Sequence, residues 1–201
     1  FDFTGRVAIV TGGTRGIDRA IAEGFVAAGA KVVVASRKPE ACAETQRHLE
    51  AMGGEALGVA THMGELDATA ALVRATVERF GRIDVVVNNA ATALSQPLGQ
   101  LTPDAWDKVF TVDLRGPVFL VQEALPWLEK SPSASVVNVI SAGAFLFSTF
   151  NSMYAASKAA LMSFTRSMGA DFALRGIRVN ALAPGTVDTD MVRNNTPEAQ
   201  E

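Results

Sequence analysis

Short apolar runs alternate with longer helical patterns along this sequence, and this alternation constrains the fold more than any other feature. The runs are nearly continuous in Val, Ile and Ala, which is typical of strands covered on both faces. They lie at residues 6–11, 31–36, 55–61, 83–88, 134–140 and 177–183. Helical patterns lie at about 15–28, 39–52, 65–80, 103–130, with a break near Gly116–Pro117, and 152–174. We therefore expect an α/β fold, a doubly wound parallel sheet with helices on both faces in three α/β/α layers.

Composition excludes several classes of protein. Hydrophobic residues make up 48% of the 201 residues, which is enough for the core of one domain. A net charge of -3 offers no basic stripe for nucleic acid. No uninterrupted apolar run reaches about 18 residues, and "FDFTGRVAIV" has no charged leader, so we expect neither a membrane span nor a signal peptide.

The single cysteine, Cys42, allows no internal disulfide and fits a reducing compartment, so we expect a cytoplasmic protein in which Cys42 is structural or incidental. No internal boundary or repeat is visible, which predicts a single dinucleotide-binding and catalytic domain over residues 1–201. The sequence stops at "NNTPEAQE" without a closing strand. The expectation is that the domain could lack its C-terminal strand and part of its substrate lobe.

A glycine-rich turn, "TGGTRGID" at residues 11–18, follows the first strand and opens the first helix. Glycines allow a tight turn and a close approach of the backbone, and the helix N-terminus then offers free N–H groups to a pyrophosphate. A plain strand-to-helix turn is the alternative, but the βαβ context favours a dinucleotide. Asp18 fits less well, because its carboxylate would face the same site as an anionic ligand.

The end of the second strand indicates which dinucleotide is bound. A carboxylate there would hold the ribose hydroxyls of NAD, but this sequence has Ser36, Arg37 and Lys38 instead, with Arg15 nearby in the turn. Arginine and lysine suit a phosphate. These residues favour NADP over NAD, unless Arg37 and Lys38 only form a solvated loop.

The stretch "YAASK" places Tyr154 and Lys158 four residues apart, on one face of a helix. A nearby ammonium stabilises a phenolate and lowers its pKa, so such a tyrosine could exchange a proton with a carbinol or carbonyl oxygen. Ser141 closes a strand, and its hydroxyl could hold the same oxygen. The pair alone is a common pattern, and two polar residues facing water are the alternative.

Together, "TGGTRGI", "NNA" at 88–90, Ser141, "YAASK" and "PGTVDT" at 184–189 resemble the short-chain dehydrogenase/reductase family over nearly the whole sequence. The resemblance implies a Rossmann-type fold and hydride transfer between a nicotinamide and a carbinol or carbonyl carbon. It implies that Tyr154 is the acid/base, that Lys158 binds the nicotinamide ribose and lowers the pKa of the tyrosine, and that Ser141 orients the substrate.

The resemblance also implies a set of cofactor-binding positions and no metal. Asn88 and Ala90 would line the cofactor cleft, and the loop at 184–189 would flank the nicotinamide amide. The complete expected set is Gly12, Thr14, Arg15, Gly16, Ile17, Ser36, Arg37, Lys38, His62, Met63, Asn89, Ala90, Tyr154, Lys158, Pro184, Gly185, Val187 and Thr189.

Several positions depart from the family's pattern. Asp18 replaces the last glycine of the turn, and Ala91 replaces the glycine that usually follows "NNA". Asp113 stands where the family has an asparagine that holds a proton-relay water, so Asp113 joins the expected catalytic residues. Its charge could pair with Lys158 and raise the pKa of the tyrosine again. His62 stands where an aspartate usually contacts adenine, and would stack on the ring, donate to it or face solvent.

Apolar residues after Ser141 indicate the substrate. Phe145, Leu146 and Phe147, with Leu94 and Met191, would form an apolar pocket for an aliphatic or ring ketone. Packing in the core or at a subunit contact is the alternative. Helices 103–130 and 152–174 are apolar around much of their circumference, and the family often pairs them across a two-fold axis, so we expect a homodimer or homotetramer.

Three hypotheses follow. The first is an active NADP-dependent oxidoreductase acting on a carbonyl or secondary alcohol. The second is a catalytically weak relative that binds a dinucleotide or a partner, which Asp18 and Asp113 favour. The third is a structural subunit that binds no nucleotide.

Overall fold

The computed structural model describes residues 1–147, 150–189 and 193. Its core is a six-stranded parallel sheet with the strand order β3-β2-β1-β4-β5-β6. The strands are β1 (Val7–Thr11), β2 (Lys31–Ser36), β3 (Ala56–Ala60), β4 (Val85–Asn88), β5 (Ser135–Val139) and β6 (Arg178–Leu182). The helices are α1 (Gly16–Ala27), α2 (Pro39–Ala51), α3 (Leu66–Phe80), α4 (Pro103–Phe110), α5 (Gly116–Leu128) and α6 (Ser152–Ala173). The doubly wound fold expected from the sequence is confirmed.

The continuous apolar strands are explained by burial on both faces. Along β1, Val7 and Ile9 pack into a cluster with α3, α5 and α6, whereas Ala8 and Val10 pack into a second cluster with α1 and α2. All four side chains are fully buried. A strand with one wet face would show polar residues at every second position instead.

The predicted break in the long helix after residue 103 is a π-helical turn, Thr111–Arg115, between α4 and α5. The helix begins as expected, with the Thr102 side chain accepting from the Ala105 N–H and Pro103 in the first turn. Single π-helical turns are frequent at functional sites. This one carries Asp113 into the interior, where its side chain is 0% exposed.

The strand order positions the site. From β1 the chain proceeds outward to β2 and β3 on one side, and to β4, β5 and β6 on the other. The reversal leaves a crevice beyond the carboxyl ends of β1 and β4, which is where open α/β sheets bind ligands. The glycine-rich turn and the loop after Asn88 both start at this crevice.

Candidate active site

The glycine-rich turn has the backbone that its glycines were expected to supply. Gly12 and Gly16 have φ of 83° and 56°, in the left-handed region that side chains disfavour. Gly13 lies close to β2, because a Cβ there would come within 2.8 Å of the Val34 Cγ1. The side chain of Arg15 does not cap α1, so the first-turn N–H groups of this described helix can face an anion.

The Asp18 side chain turns inward from the first turn of α1. A Cβ added to Gly12 would lie 2.9 Å from the Asp18 Cγ and 3.1 Å from the Ala90 Cα, and it would collide with one carboxylate oxygen. The carboxylate therefore packs between the glycine-rich turn and the loop after β4. Burial raises the pKa of Asp18 to about 7, although Arg15 and Lys158 both act to lower it.

Thr11, which the sequence analysis overlooked, organises the loop after β4. Its Oγ1 accepts hydrogen bonds from the N–H groups of Asn89 and Ala90, at 3.1 and 3.2 Å, and donates to the Val87 carbonyl. The expected cofactor contacts Asn89 and Ala90 are thereby fixed to the end of β1. In the sequence, the feature that could have indicated this role is the position of Thr11 directly before the glycine-rich turn.

The expectation that Asn88 lines the cleft is wrong for its side chain. Asn88 is 1% exposed and donates to the Asn138 Oδ1 at 2.8 Å, and Asn138 in turn donates to the Thr165 Oγ1 at 2.9 Å. Side chains alternate along β4, so Asn88 lies on the same sheet face as Val86, the face that packs against α5 and α6. It braces β4, β5 and α6 behind the cleft.

At the end of β2, Arg37 and Lys38 are exposed, and neither side chain forms an ion pair or hydrogen bond with another described residue. Ser36 is partly buried, and its carbonyl accepts from the Thr61 N–H at 2.8 Å. The two cations are thus free to meet a phosphate. The Cys42 Sγ lies 3.4 Å from the carbonyl oxygens of Ser36 and Val59, a buried structural position.

The end of β3 differs in part from expectation. His62 is half-buried and folds back, with its Nδ1 accepting from the Gly64 N–H at 3.1 Å, which leaves Nε2 to carry the proton. The Met63 side chain is 4% exposed and packs in the core. The Met63 carbonyl group lies so close to Gly116 that a Cβ added to Gly116 would collide with it. The Met63 side chain thus belongs to the hydrophobic core, and a contact with a cofactor is proposed below for its main chain.

Ser141, Tyr154 and Lys158 are brought together at the start of α6. The Ser141 Oγ accepts from the Gly143 N–H at 3.1 Å, and the Ser141 side chain lies close enough to Tyr154 to act on the pKa of its phenol. The Lys158 Nζ lies 5.6 Å from the centre of the Tyr154 ring. In this arrangement Ser141 and Tyr154 could contact the same substrate oxygen. Lys158 is the side chain placed to contact the hydroxyl groups of a nicotinamide ribose.

Lys158 is the largest of the fully buried side chains, at 1% exposed. Its Nζ donates to the Val139 carbonyl at 3.0 Å. Burial lowers the pKa of Lys158, whereas the carboxylates of Asp113 and Asp18 act to raise it. A buried ammonium is stable only with such partners.

Asp113 faces Lys158 from the π-helical turn. Its Oδ1 accepts from the Thr92 N–H at 2.8 Å, while its buried Oδ2 has no hydrogen-bond partner among the described residues. Burial raises the pKa of Asp113 to about 6, and Lys158 and the Thr92 N–H act against that rise. The pKa of Asp113 therefore lies above that of an ordinary carboxyl, in spite of the neighbouring ammonium.

The expected lowering of the Tyr154 pKa is wrong for this structure. The pKa is raised, first by burial and then by the negative charge of Asp113, while the hydrogen bond from Ser141 acts to lower it. The hypothesis that Asp113 counteracts the lysine therefore has a physical basis. A phenol with a raised pKa stays protonated at neutral pH, and it is a weaker acid than a phenol whose pKa lies near the working pH.

The loop at 184–189 lies across the cleft from the turn. The Ala142 N–H donates to the Pro184 carbonyl at 2.9 Å, which ties the loop to the segment after Ser141. A Cβ on Gly16 would lie 3.4 Å from the Thr189 Cγ2, so Thr189 closes over the start of α1. Gly185 and Val187 are exposed between these two contacts.

The expected apolar pocket is not assembled as one cavity. Leu94 packs with Val109 and Met153, whereas Phe145 lines a cleft of about 560 Å³ on the other side of α6, beside β6. Leu146 and Phe147 are exposed, and Met191 lies outside the described residues. Phe150 adds a further exposed ring to this apolar surface.

The crevice fits a dinucleotide in most respects. The left-handed glycines leave room at the turn, the uncapped α1 offers N–H groups to a diphosphate, and free cations lie at the end of β2. Among the residues that the structure describes, Asp18 opposes an anion there because of its carboxylate. Among the described residues, no group of three or more His, Cys, Asp or Glu side chains could hold a metal ion.

Comparison with known proteins agrees with this geometry. A family model described as short chain dehydrogenase matches residues 6–200. The sequence is 36% identical to a 3-oxoacyl-[acyl-carrier-protein] reductase of Synechocystis over 97% of this chain and 79% of the relative. It is 35% identical to the rhamnolipids biosynthesis 3-oxoacyl-[acyl-carrier-protein] reductase of Pseudomonas aeruginosa, over 100% of this chain and 81% of that one.

A solved structure leads to the same family. The crystal structure of a dehydrogenase/reductase from Sinorhizobium meliloti superposes with a TM-score of 0.93 at 33% identity, covering 99% of this chain and 79% of that one. The chain belongs to the short-chain dehydrogenase/reductase family, whose members are oxidoreductases that use NAD or NADP. Separately, none of the described helices is long and apolar enough to cross a membrane.

Proposed function

We propose that this protein transfers a hydride between NADP(H) and an apolar carbonyl or secondary alcohol substrate. The observation that carries the proposal is the assembly of Ser141, Tyr154 and Lys158 at one end of α6, next to the crevice. The cofactor, when bound, supplies or accepts the hydride at its nicotinamide ring. The remaining steps belong to the side chains of this chain.

In the reducing direction, the Ser141 hydroxyl donates a hydrogen bond to the carbonyl oxygen and holds it beside Tyr154. The Tyr154 hydroxyl donates its proton to that oxygen as negative charge develops there. The Lys158 ammonium, 5.6 Å from the centre of the Tyr154 ring, would offset part of the negative charge on the phenolate that remains, against the opposing effects of burial and Asp113. The raised pKa of Tyr154 keeps this donor protonated near neutral pH, but it also makes the phenol a weaker acid.

Lys158, Tyr154, Asn89, Ala90 and the loop at 184–189 would hold the nicotinamide half of the cofactor. Gly12, Thr14, Gly16 and Ile17 would receive the diphosphate on main-chain N–H groups. Ser36, Arg37 and Lys38, with Arg15, would hold a 2′-phosphate, and His62 with the Met63 main chain would contact the adenine. The exposure and lack of side-chain partners of Arg37 and Lys38 support NADP over NAD.

The exposed rings after Ser141 support an apolar substrate. Phe145, Phe147 and Phe150 are 61%, 95% and 60% exposed, and they lie close in sequence to the catalytic serine. The names of two relatives, both 3-oxoacyl-[acyl-carrier-protein] reductases, support a carbonyl on an acyl chain. A 3-oxoacyl thioester is therefore the first substrate to test.

We also propose that copies of this chain associate through α4, α5 and α6 as a homodimer or homotetramer. Trp106 stacks on Phe110 with ring centres 4.4 Å apart, and Trp106 and Phe164 are each 45% exposed. Next to them lies an apolar groove of about 300 Å³. Light scattering after size exclusion should give a dimer or tetramer, and a strictly monomeric protein would contradict this.

A catalytically weak protein is the second candidate, and the inward Asp18 and the charged Asp113 favour it. Titration with NADPH, followed by a screen of 3-oxoacyl thioesters and apolar ketones, separates the candidates. Binding with turnover supports the oxidoreductase, and binding without turnover supports the weak relative. Absence of NADPH binding would contradict both.

A further inference from the structure

The proposed reaction gives no role to Asp18, although this acidic side chain lies in the middle of the proposed cofactor site. A carboxylate in the first turn of a helix is favourable beside the helix dipole. At this position, however, it occupies the end of α1 that would receive a diphosphate. It also interacts with its own backbone N–H, one of the groups that such a ligand would need.

The direction of the side chain is what makes Asp18 consequential. The carboxylate could avoid a bound anion by facing solvent, but it packs against Gly12 and near Ala90 instead. Both residues belong to the expected cofactor-binding set. The space beside Gly12 that a second glycine would leave open at position 18 is therefore filled by the carboxylate.

The surrounding charges are few. Two cations interact electrostatically with Asp18: Arg15 from the glycine-rich turn and Lys158 from α6. Asp113, in the π-helical turn, interacts in the same way with Lys158. The next charged side chain along α1, Arg19, pairs with Glu23, which also binds His48 of α2. Asp18 is half-buried, and the two cations do not fully offset this partial burial, which raises its pKa to about 7.

We propose that Asp18 makes cofactor binding proton-linked: the dinucleotide binds together with one proton from solvent, and the Asp18 carboxyl holds that proton. This inference rests on the proposed function. A neutral carboxyl removes the repulsion between Asp18 and the diphosphate, and its O–H can donate a hydrogen bond to a phosphate oxygen. The affinity for the cofactor therefore falls as the pH rises.

The sign follows from linkage. Below the pKa of the free protein the carboxyl is already neutral, so binding takes up no proton and affinity is at its greatest. Above that pKa, Asp18 must take up a proton from solvent each time a dinucleotide binds, so the affinity falls up to tenfold per pH unit. With a pKa of about 7, the Kd for NADPH should be at least tenfold higher at about pH 8.5 than at about pH 6.

The experiment compares the wild-type protein with Asp18→Asn by calorimetric titration with NADPH at both pH values. Asparagine has the same shape without the charge, and it retains the cations that meet the 2′-phosphate. Because that phosphate itself titrates near pH ~6, its contribution appears in both proteins and cancels in the comparison. Wild type should lose at least tenfold more affinity than Asp18→Asn between the two pH values.

Proton uptake is measured directly by repeating the titration at about pH 8 in two buffers of different ionisation enthalpy. The wild type should take up close to one proton more than Asp18→Asn. Asp18→Gly should tighten NADPH binding at least tenfold at about pH 8.5, with an effect that shrinks as salt is added. Thermal unfolding of each variant checks that the fold is intact.

Equal affinities and equal pH dependence for wild type and Asp18→Asn would overturn this inference and leave the proposed function standing. Loss of NADPH binding in a folded Asp18→Asn would also overturn it, because the charged carboxylate would then be a ligand. If neither protein binds NADPH at either pH, the proposed function fails as well.

Discussion

Lys158 sets the chemistry of the site at the scale of single residues. Its ammonium is almost completely buried, with one carbonyl acceptor and two carboxylates that act on it. Burying a charge is costly unless it is paired. Asp113 thus helps to keep Lys158 charged, but the same charge disfavours the Tyr154 phenolate.

Asp113→Asn tests this opposition. The substitution keeps an oxygen for the Thr92 N–H but removes the charge that raises the pKa of Tyr154. In the direction of alcohol oxidation, activity should rise with pH as Tyr154 loses its proton, and in the variant this rise should occur at lower pH. The pH profile of kcat/KM measures the shift, and a profile that moves to higher pH would contradict the assignment.

Arg37→Ala tests the choice of cofactor. If Arg37 binds the 2′-phosphate, its removal should weaken NADPH binding by about 1.5–3 kcal/mol, the usual contribution of a hydrogen bond to a charged group. NADH lacks that phosphate, so its affinity should stay the same in the variant and serves as the control. Equal affinity of the unmodified protein for NADPH and NADH would contradict the preference for NADP.

At the scale of elements, Asp84 joins the start of β1 to the start of β4. Burial alone would raise its pKa, but hydrogen bonds from Arg82, Ser131 and the Val7 N–H outweigh this and lower the pKa of Asp84. Both oxygens are bound, at 2.5–2.8 Å. The carboxylate therefore links two central strands at their amino-terminal ends, on the opposite side of the sheet from the crevice at their carboxyl ends.

Asp84→Asn should lower the free energy of unfolding by about 2 kcal/mol at neutral pH, because charge-assisted hydrogen bonds are replaced by weaker ones. The pKa is lower in the folded state, so the contribution is present above the unfolded pKa and is lost as the pH falls through the folded pKa. Wild type and variant should therefore converge in stability under acid. Urea unfolding measures this, with the exposed Glu78→Gln as a control of the same charge change.

The elements and much of the site are predictable from sequence because both rest on local patterns. Continuous Val-rich runs gave each strand to within two residues, and the four-residue spacing placed Tyr154 and Lys158 on one face of α6. The direction in which the Asp18 and Asn88 side chains point was not predictable, because packing between distant elements decides it. Likewise, the hydrogen bond from the Thr92 N–H to Asp113 joins residues 21 positions apart, and one of them lies in a π-helical turn that the sequence pattern did not reveal.

At the scale of the whole molecule, the fold brings four segments distant in sequence to one crevice. The glycine-rich turn, the loop after β4, the start of α6 and the loop at 184–189 converge at the carboxyl ends of the strands. Three of them are linked by contacts of Thr11, Ala142 and Thr189. Cofactor binding and proton transfer depend on different parts of this crevice, so they should respond separately to substitution.

Tyr154→Phe is the most direct test of the central claim that this chain is a hydride-transferring enzyme with Tyr154 as its proton donor. The consumption of NADPH should be followed with a 3-oxoacyl thioester, alongside calorimetric titration of NADPH into both proteins. Phenylalanine keeps the ring but lacks the hydroxyl, so turnover should be abolished while the Kd for NADPH stays within a few-fold of wild type. Turnover near the wild-type level in the variant would remove Tyr154 from the mechanism and contradict the account.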